Sequence, residues 1–181
     1  MVAQPSPAGN RASLWTQILA ASPIFQGLSP AQIERIADCA QVERHQKGDT
    51  VIREGDHGEG MYILTAGKVQ VSRTVTLSLS RTHVGEAEKS FLEMDASGHP
   101  AFGEMALLED NSLRGATITA VTDIELLEIL QSDFDKLCEE DPLLGYRVLR
   151  NMASQLSARL RRTNQDVLKL SSALSLALSR R

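Results

Sequence analysis

At 181 residues and 42% hydrophobic composition, the chain is long enough for one domain with its own core plus an accessory element. Its net charge of −4 divides unevenly: Asp141–Arg181 holds eight Lys/Arg against two Asp/Glu, a net +6 that leaves −10 for the rest, which argues against a broad nucleic-acid surface on the body and permits the tail to meet an acidic partner. No apolar run approaches the ~20 residues of a membrane span, and the opening MVAQPSPAGN lacks the basic and apolar regions of a signal peptide, so a cytoplasmic location is expected.

Residues 1–12, with two prolines and few large apolar groups, read as a mobile lead. From Ser13, SLWTQILAAS predicts a short helix capped by Ser13 that buries Leu14, Ile18 and Trp15, stopped at Pro23. A second helix follows, with Ser29 as cap, Pro30 in the first helical position, and Ile33, Ile36, Ala37 and Ala40 on one face. From Val42 the apolar period shortens to that of strands, and turn signals recur at Lys47-Gly48-Asp49, Gly55-Asp56, Gly58, Gly60 and Ala66-Gly67. The strands expected between them are Thr50–Arg53, Met61–Thr65 and Lys68–Val75, a pattern that suggests a jelly roll or β-barrel. Thr76–Lys89 is polar and irregular and reads as an extended loop. Ser90–Met94 returns as a strand, Gly98 turns, and Ala116–Val121 and Ile124–Leu130 close the roll. Ser132 is the expected cap of a helix DFDKLCEE, and Pro142 opens a longer one. Cys39 and Cys138, far apart in helix-like segments, read as buried thiols.

The stretch FGEMALLEDNSLRGATI, Phe102–Ile118, needs a chemical account. A helix opening after Gly103 leaves backbone N–H groups unpaired, and Arg114 adds a fixed charge with a two-pronged donor face; together these describe an anion pocket suited to a phosphate. Glu104 repels a phosphate unless it accepts from another group, such as a sugar hydroxyl, and phosphate with sugar suggests a nucleotide. Gly115 and Ala116 let a ligand approach the backbone. The alternative is a surface turn in which Glu104 and Arg114 are solvated or weakly paired.

The segment resembles the phosphate-binding cassette of cyclic nucleotide-binding domains, as found in bacterial catabolite activator-type regulators and the regulatory subunits of protein kinase A. Phe102, Gly103, Glu104, Met105, Ala106, Arg114, Ala116 and Ile118 stand in its places; Gly115 departs from it, since the family more often carries Ser, Thr or Ala there. Val51-Ile52, Gly55-Asp56, Gly58, Met61–Leu64 and Gly67 also match the family's β-roll signature, with the glycines serving turns. The resemblance, over roughly residues 22–170, implies an α+β fold: a mainly β jelly roll, or β-roll, flanked by N-terminal helices and a long C-terminal dimerisation helix. The division expected is a lead at 1–12, the roll with its N-terminal helices and a hinge helix at 13–141, and the long helix at 142–181.

That helix carries apolar positions at Tyr146, Leu149, Ala153, Leu156, Leu160, Val167, Leu170, Leu174 and Ala177, with Thr163 in the same register and spacings alternating three and four. A heptad seam of this length favours knobs-into-holes pairing, most simply a parallel homodimer; the other reading packs the helix on its own domain. Thr163 either sets register or, with Asn164, covers a purine as the corresponding pair does in catabolite activator-type dimers, one of the two reaching from the second copy. The resemblance thus implies a sensor in which Arg114 and the cassette amides hold a cyclic phosphate, Glu104 the ribose 2′-hydroxyl and Thr163/Asn164 the base. Cyclic AMP is the expected ligand, because Gly115 cannot supply the Thr that steadies guanine in cyclic GMP-selective relatives. The alternatives are cyclic GMP, a cyclic dinucleotide, or a ligand-free scaffold joined by its coiled coil to an unidentified downstream protein.

No helix-turn-helix DNA reader is legible within these residues. Catalysis is not expected: His45, His57, His83 and His99 form no His-x-His or His-x-x-x-His metal pair, and no Ser-His-Asp or Cys-His arrangement stands out.

Overall fold

The computed structural model describes residues 7–80, 83–109 and 111–179, with side chains described over 14–73, 92–109, 111–173 and 175–179. Helix α1 spans Pro7–Ala21 and α2 spans Pro30–Cys39, with a 3₁₀ turn at Pro23–Phe25 between them. The first helix thus begins at Pro7 rather than at Ser13, and residues 7–12 are helical; the remainder of the expected lead, 1–6, lies outside the described residues. Its buried face centres between Ile18 and Leu19 with Trp15 packed alongside, about a quarter turn from Leu14, which is exposed. α2 opens as its sequence predicts. The Ser29 hydroxyl accepts the Gln32 N–H, the Gln32 side chain accepts the Ser29 N–H, and Pro30 takes the first turn where no donor is needed.

Among the described residues eight strands follow: β1 (Gln41–His45), β2 (Thr50–Ile52), β3 (Gly60–Ala66), β4 (Lys68–Ser80), β5 (His83–Asp95), β6 (Ala101–Phe102), β7 (Thr117–Ala120) and β8 (Ile124–Leu130). They form two four-stranded antiparallel sheets, ordered β1-β8-β3-β6 and β2-β7-β4-β5. This is the β-roll expected. The β1-β8-β3-β6 sheet is covered on both faces, and period-two alternation sorts its residues. Met61, Ile63, Leu127 and Ile129 face the helices, whereas Tyr62, Leu64, Ile124 and Leu126 face the roll interior with Ile52, Val69, Phe102 and Ile118. Double-sided burial explains why Met61–Leu64 is a continuous apolar run rather than an alternating one.

One expectation fails in the second sheet. The loop read at 76–89 is instead strand on both sides: β4 runs on to Ser80, β5 starts at His83, and the two pair from Lys68↔Asp95 to Ser80↔His83. The pattern was present in Thr74-Val75-Thr76-Leu77-Ser78-Leu79-Ser80, where β-branched and apolar residues alternate with small polar ones. The many polar residues of 76–89 mask this period.

Helix α3 (Gln131–Glu140) starts one residue before the expected cap Ser132, and its N-cap Leu130 offers no side-chain bond. The Gln131 N–H goes instead to the Glu59 carbonyl at 2.7 Å, and Asp133 places negative charge in the first turn. Helix α4 (Pro142–Ser179) is 38 residues long. It docks through Leu144, Val148 and Met152, all in the helix-side core, while Asn151 Nδ2 donates to the Ile24 and Gln26 carbonyls at 3.0 and 2.9 Å. The docking stripe is therefore not the heptad seam. Tyr146, Leu149, Leu160, Val167 and Leu170 all point away from the roll, with Leu170 71% exposed; the Leu174 side chain lies outside the described residues. Leu144 is completely buried where α4 first meets the core, so Leu144→Ala should lose about 2–5 kcal/mol in urea unfolding with the m-value unchanged.

Candidate functional site

The Gly55–Gly58 segment zips onto Ser112–Arg114. Gly55 N–H donates to Arg114 O at 2.9 Å, Arg114 N–H to Asp56 O at 2.8 Å, and Gly58 N–H to Ser112 O at 2.9 Å. This ladder fixes the Arg114 backbone and sends its side chain across Gly58. There Arg114 Nη1 donates to the Gly103 carbonyl at 2.9 Å and Nη2 to the Gly60 carbonyl at 2.8 Å. A Cβ on Gly58 would stand 2.7 Å from the guanidinium carbon, and one on Gly103 would stand 2.7 Å from Nη1. Gly103 also holds φ +72, a left-handed conformation that costs glycine little.

From Gly103 the chain enters the 3₁₀ turn Glu104–Leu107. The amides of Glu104 and Met105 at its opening, and those of Gly115 and Ala116 opposite, take no acceptor among the described residues. Between them lies a cavity of about 420 Å³ walled by Ile52, Val71, Leu92, Met94, Phe102, Ile118 and Leu156, with Glu104, Ser112, Arg114 and Arg159 as its polar side chains. Gly103, Met105, Ala106, Gly115 and Ala116 line it as well, so eight of the ten residues singled out from sequence converge here.

Thr163 and Asn164 do not. Both are exposed, about one turn beyond the last α4 residue on the cavity wall, Arg159, and neither lines the cavity within one chain. In their place the sequence reading missed Arg159. Its Nη1 donates to Glu104 Oε1 at 2.5 Å, and the Glu104 side chain is only 10% exposed against 53% for Arg159. The signal lay in the basic run Arg159-Leu160-Arg161-Arg162, whose first residue shares the docking face of Met152.

Behind Arg114 sits a second polar layer. Its guanidinium carbon lies 5.8 Å from the centre of the Tyr62 ring, which stacks on Phe102 at 5.6 Å. The Tyr62 hydroxyl donates to Glu128 Oε1 at 2.9 Å. Burial, followed by this bond to Glu128, pushes the Tyr62 phenol well above its ordinary range. Burial also raises the Glu128 carboxyl, with the neighbouring Glu43 adding to it, although Tyr62 and Arg114 pull the other way.

The family model "Cyclic nucleotide-binding domain" matches residues 42–141. The chain belongs to the cyclic nucleotide-binding domain family. It is 32% identical over 146 residues to the "Cyclic AMP receptor protein" of Thermus thermophilus, a match covering 81% of this chain and 61% of that protein. It superposes on the crystal structure of the Thermus thermophilus catabolite activator protein with a TM-score of 0.68 at 31% identity, covering 83% of this chain and 63% of that one. The regulatory domain of Toxoplasma gondii PKA, crystallised with cAMP, aligns at a TM-score of 0.58 and 27% identity over 75% of this chain and 47% of that one. The chain thus spans about three fifths of its Thermus relative. In this cyclic nucleotide-binding domain no helix of the described residues is long and apolar enough to cross a membrane, and no group of three or more His, Cys, Asp or Glu among them is placed to hold a metal.

Because the Glu128 carboxyl is raised in the folded state, folding favours its protonated form, and its unfavourable contribution grows as pH rises through the folded value. Glu128→Gln keeps an acceptor for Tyr62 and removes that charge. Its melting temperature should exceed that of the wild type at pH 7, with the gap closing as the pH falls below the ordinary carboxylate value of 4.5.

Proposed function

We propose that the domain is a sensor of cyclic AMP that binds the nucleotide in the 420 Å³ cavity and passes its presence to helix α4. The volume suits a small ligand, and apolar walls with charged groups set among them suit a nucleotide. Arg114 and the free amides of the 3₁₀ turn and of Gly115–Ala116 take the cyclic phosphate. Glu104 takes the ribose 2′-hydroxyl, and Arg159 shares that end of the ligand. Thr163 and Asn164, exposed on α4, meet the base once two copies pair along the exposed seam, one of the two coming from the second copy. Gly115 presents no side chain to hold a guanine, which favours adenine.

The observation that carries this reading is the Arg159–Glu104 contact, because it puts the long helix in direct touch with the cavity floor. A ligand that competes for Glu104 or recruits Arg159 has different affinities for different positions of α4, which is the requirement for shifting their populations. α4 also carries the exposed apolar seam, and pairing along it supplies the output. Relatives extend beyond the length of this chain, and the downstream partner is a protein that reads the α4 geometry.

Isothermal titration tests the ligand. Cyclic AMP should bind more tightly than cyclic GMP, and Arg114→Ala should weaken it roughly a hundredfold, the loss of two charge-assisted bonds to a phosphate. Unchanged affinity in that variant removes the assignment. Analytical ultracentrifugation tests the pairing: the wild type should sediment as a dimer and Val167→Glu with Leu170→Glu as a monomer. A wild type that is dimeric yet indifferent to every cyclic mononucleotide and dinucleotide would leave the paired-helix scaffold.

A further inference from the structure

Ser112 takes no part in the reading above. It is 4% exposed, and it is the sole hydroxyl-bearing residue on the cavity wall among the described residues. Its backbone is fully engaged, donating to the Glu109 carbonyl at 3.3 Å and accepting from the Gly58 N–H at 2.9 Å. Its hydroxyl is bonded to nothing in the protein among the described residues. It is not sealed in, however: Gln155 Nε2 is the single side-chain nitrogen or oxygen there that lacks both a partner and access to open space. A hydroxyl so placed has lost most of its water without gaining a protein partner, which costs free energy unless an occupant of the cavity completes it.

The position of this hydroxyl says what kind of occupant. Ser112 and Arg114 meet at Gly58, the first through its carbonyl and the second through its guanidinium. Arg114 has already spent one N–H of each terminal nitrogen on Gly103 and Gly60. The next residue, Gly115, brings no side chain. A phosphate at this end therefore finds a partly committed cation, backbone amides and one neutral side-chain donor.

Building on the cyclic-nucleotide reading, we propose that the Ser112 hydroxyl donates to one exocyclic oxygen of the ligand's phosphate, making Ser112 a binding residue that fixes which oxygen faces Arg114.

The test is titration of the full chain and its Ser112→Ala and Ser112→Thr variants with cyclic AMP and its Sp and Rp phosphorothioates, each of which replaces one exocyclic oxygen by a weakly accepting sulfur. Ser112→Ala should bind cyclic AMP roughly tenfold or more weakly, the loss of one bond to a charged acceptor, and Ser112→Thr should restore most of it. The melting temperature of the Ala variant should be unchanged or higher, because the hydroxyl has no protein bond to lose. Wild type should discriminate between the two diastereomers, and Ser112→Ala should lose that discrimination. Wild-type affinity in Ser112→Ala, or equal diastereomer preference in both proteins, overturns this inference while leaving the cyclic-nucleotide reading standing. A wild type that takes up no cyclic nucleotide overturns both.

Discussion

One guanidinium ties its own segment to the Gly103 turn and to the Gly58–Tyr62 stretch, the latter 54 residues away at Gly60. Arg114 spans Gly58, donates to the carbonyls of Gly60 and Gly103, and rests near the face of Tyr62. This works because Gly58 and Gly103 leave no Cβ in its path. The consequence is electrostatic as well as steric. Neutral carbonyls orient the charge without cancelling it, and no carboxylate among the described residues forms an ion pair with Arg114. A half-buried cation fixed in this way, at the edge of an apolar cavity, attracts an anion more strongly than the same charge on a solvated side chain.

Where α4 reaches the cavity the charges do cancel. Glu104 is held by Arg159, which is more than half exposed, so the pair is worth about 0–1 kcal/mol rather than the several expected of a buried bridge. In the proposed sensor a weak contact is what is needed: it would bias α4 toward the roll, and a ligand making two or three new hydrogen bonds at that spot would outweigh it.

The roll was legible because its signals were local. Ser29-Pro30 capped a helix, closely spaced glycines marked turns, and Gly103, Glu104 and Arg114 stood at a recognisable spacing. What stayed hidden depended on which face of an element finds a neighbour. α1 turned its Ile18–Leu19 face inward and left Leu14 outside, and it began at Pro7, ahead of the Ser13 cap. The β4–β5 hairpin, read as a loop over 76–89, alternated correctly through Leu77 and Leu79, but its polar residues outnumber its apolar ones. Arg159 was one of several arginines on a long helix, and only the direction in which Met152 packs singles it out.

The long helix carries two stripes with different tasks. Leu144, Val148 and Met152 hold its first turns to the core, whereas the seam from Tyr146 to Leu170 faces solvent. An apolar stripe of that length is costly to leave in water and marks a place for another surface. The stripes come together at Leu156, which has the heptad register of the seam and also lines the cavity. In the proposed dimer the same side chain touches the ligand and the opposing helix. Filling the cavity then alters the packing of the seam directly, with no need for a chain of small displacements through the roll, and the sensitivity of close-packed side chains to even one methylene makes that contact an effective transmitter.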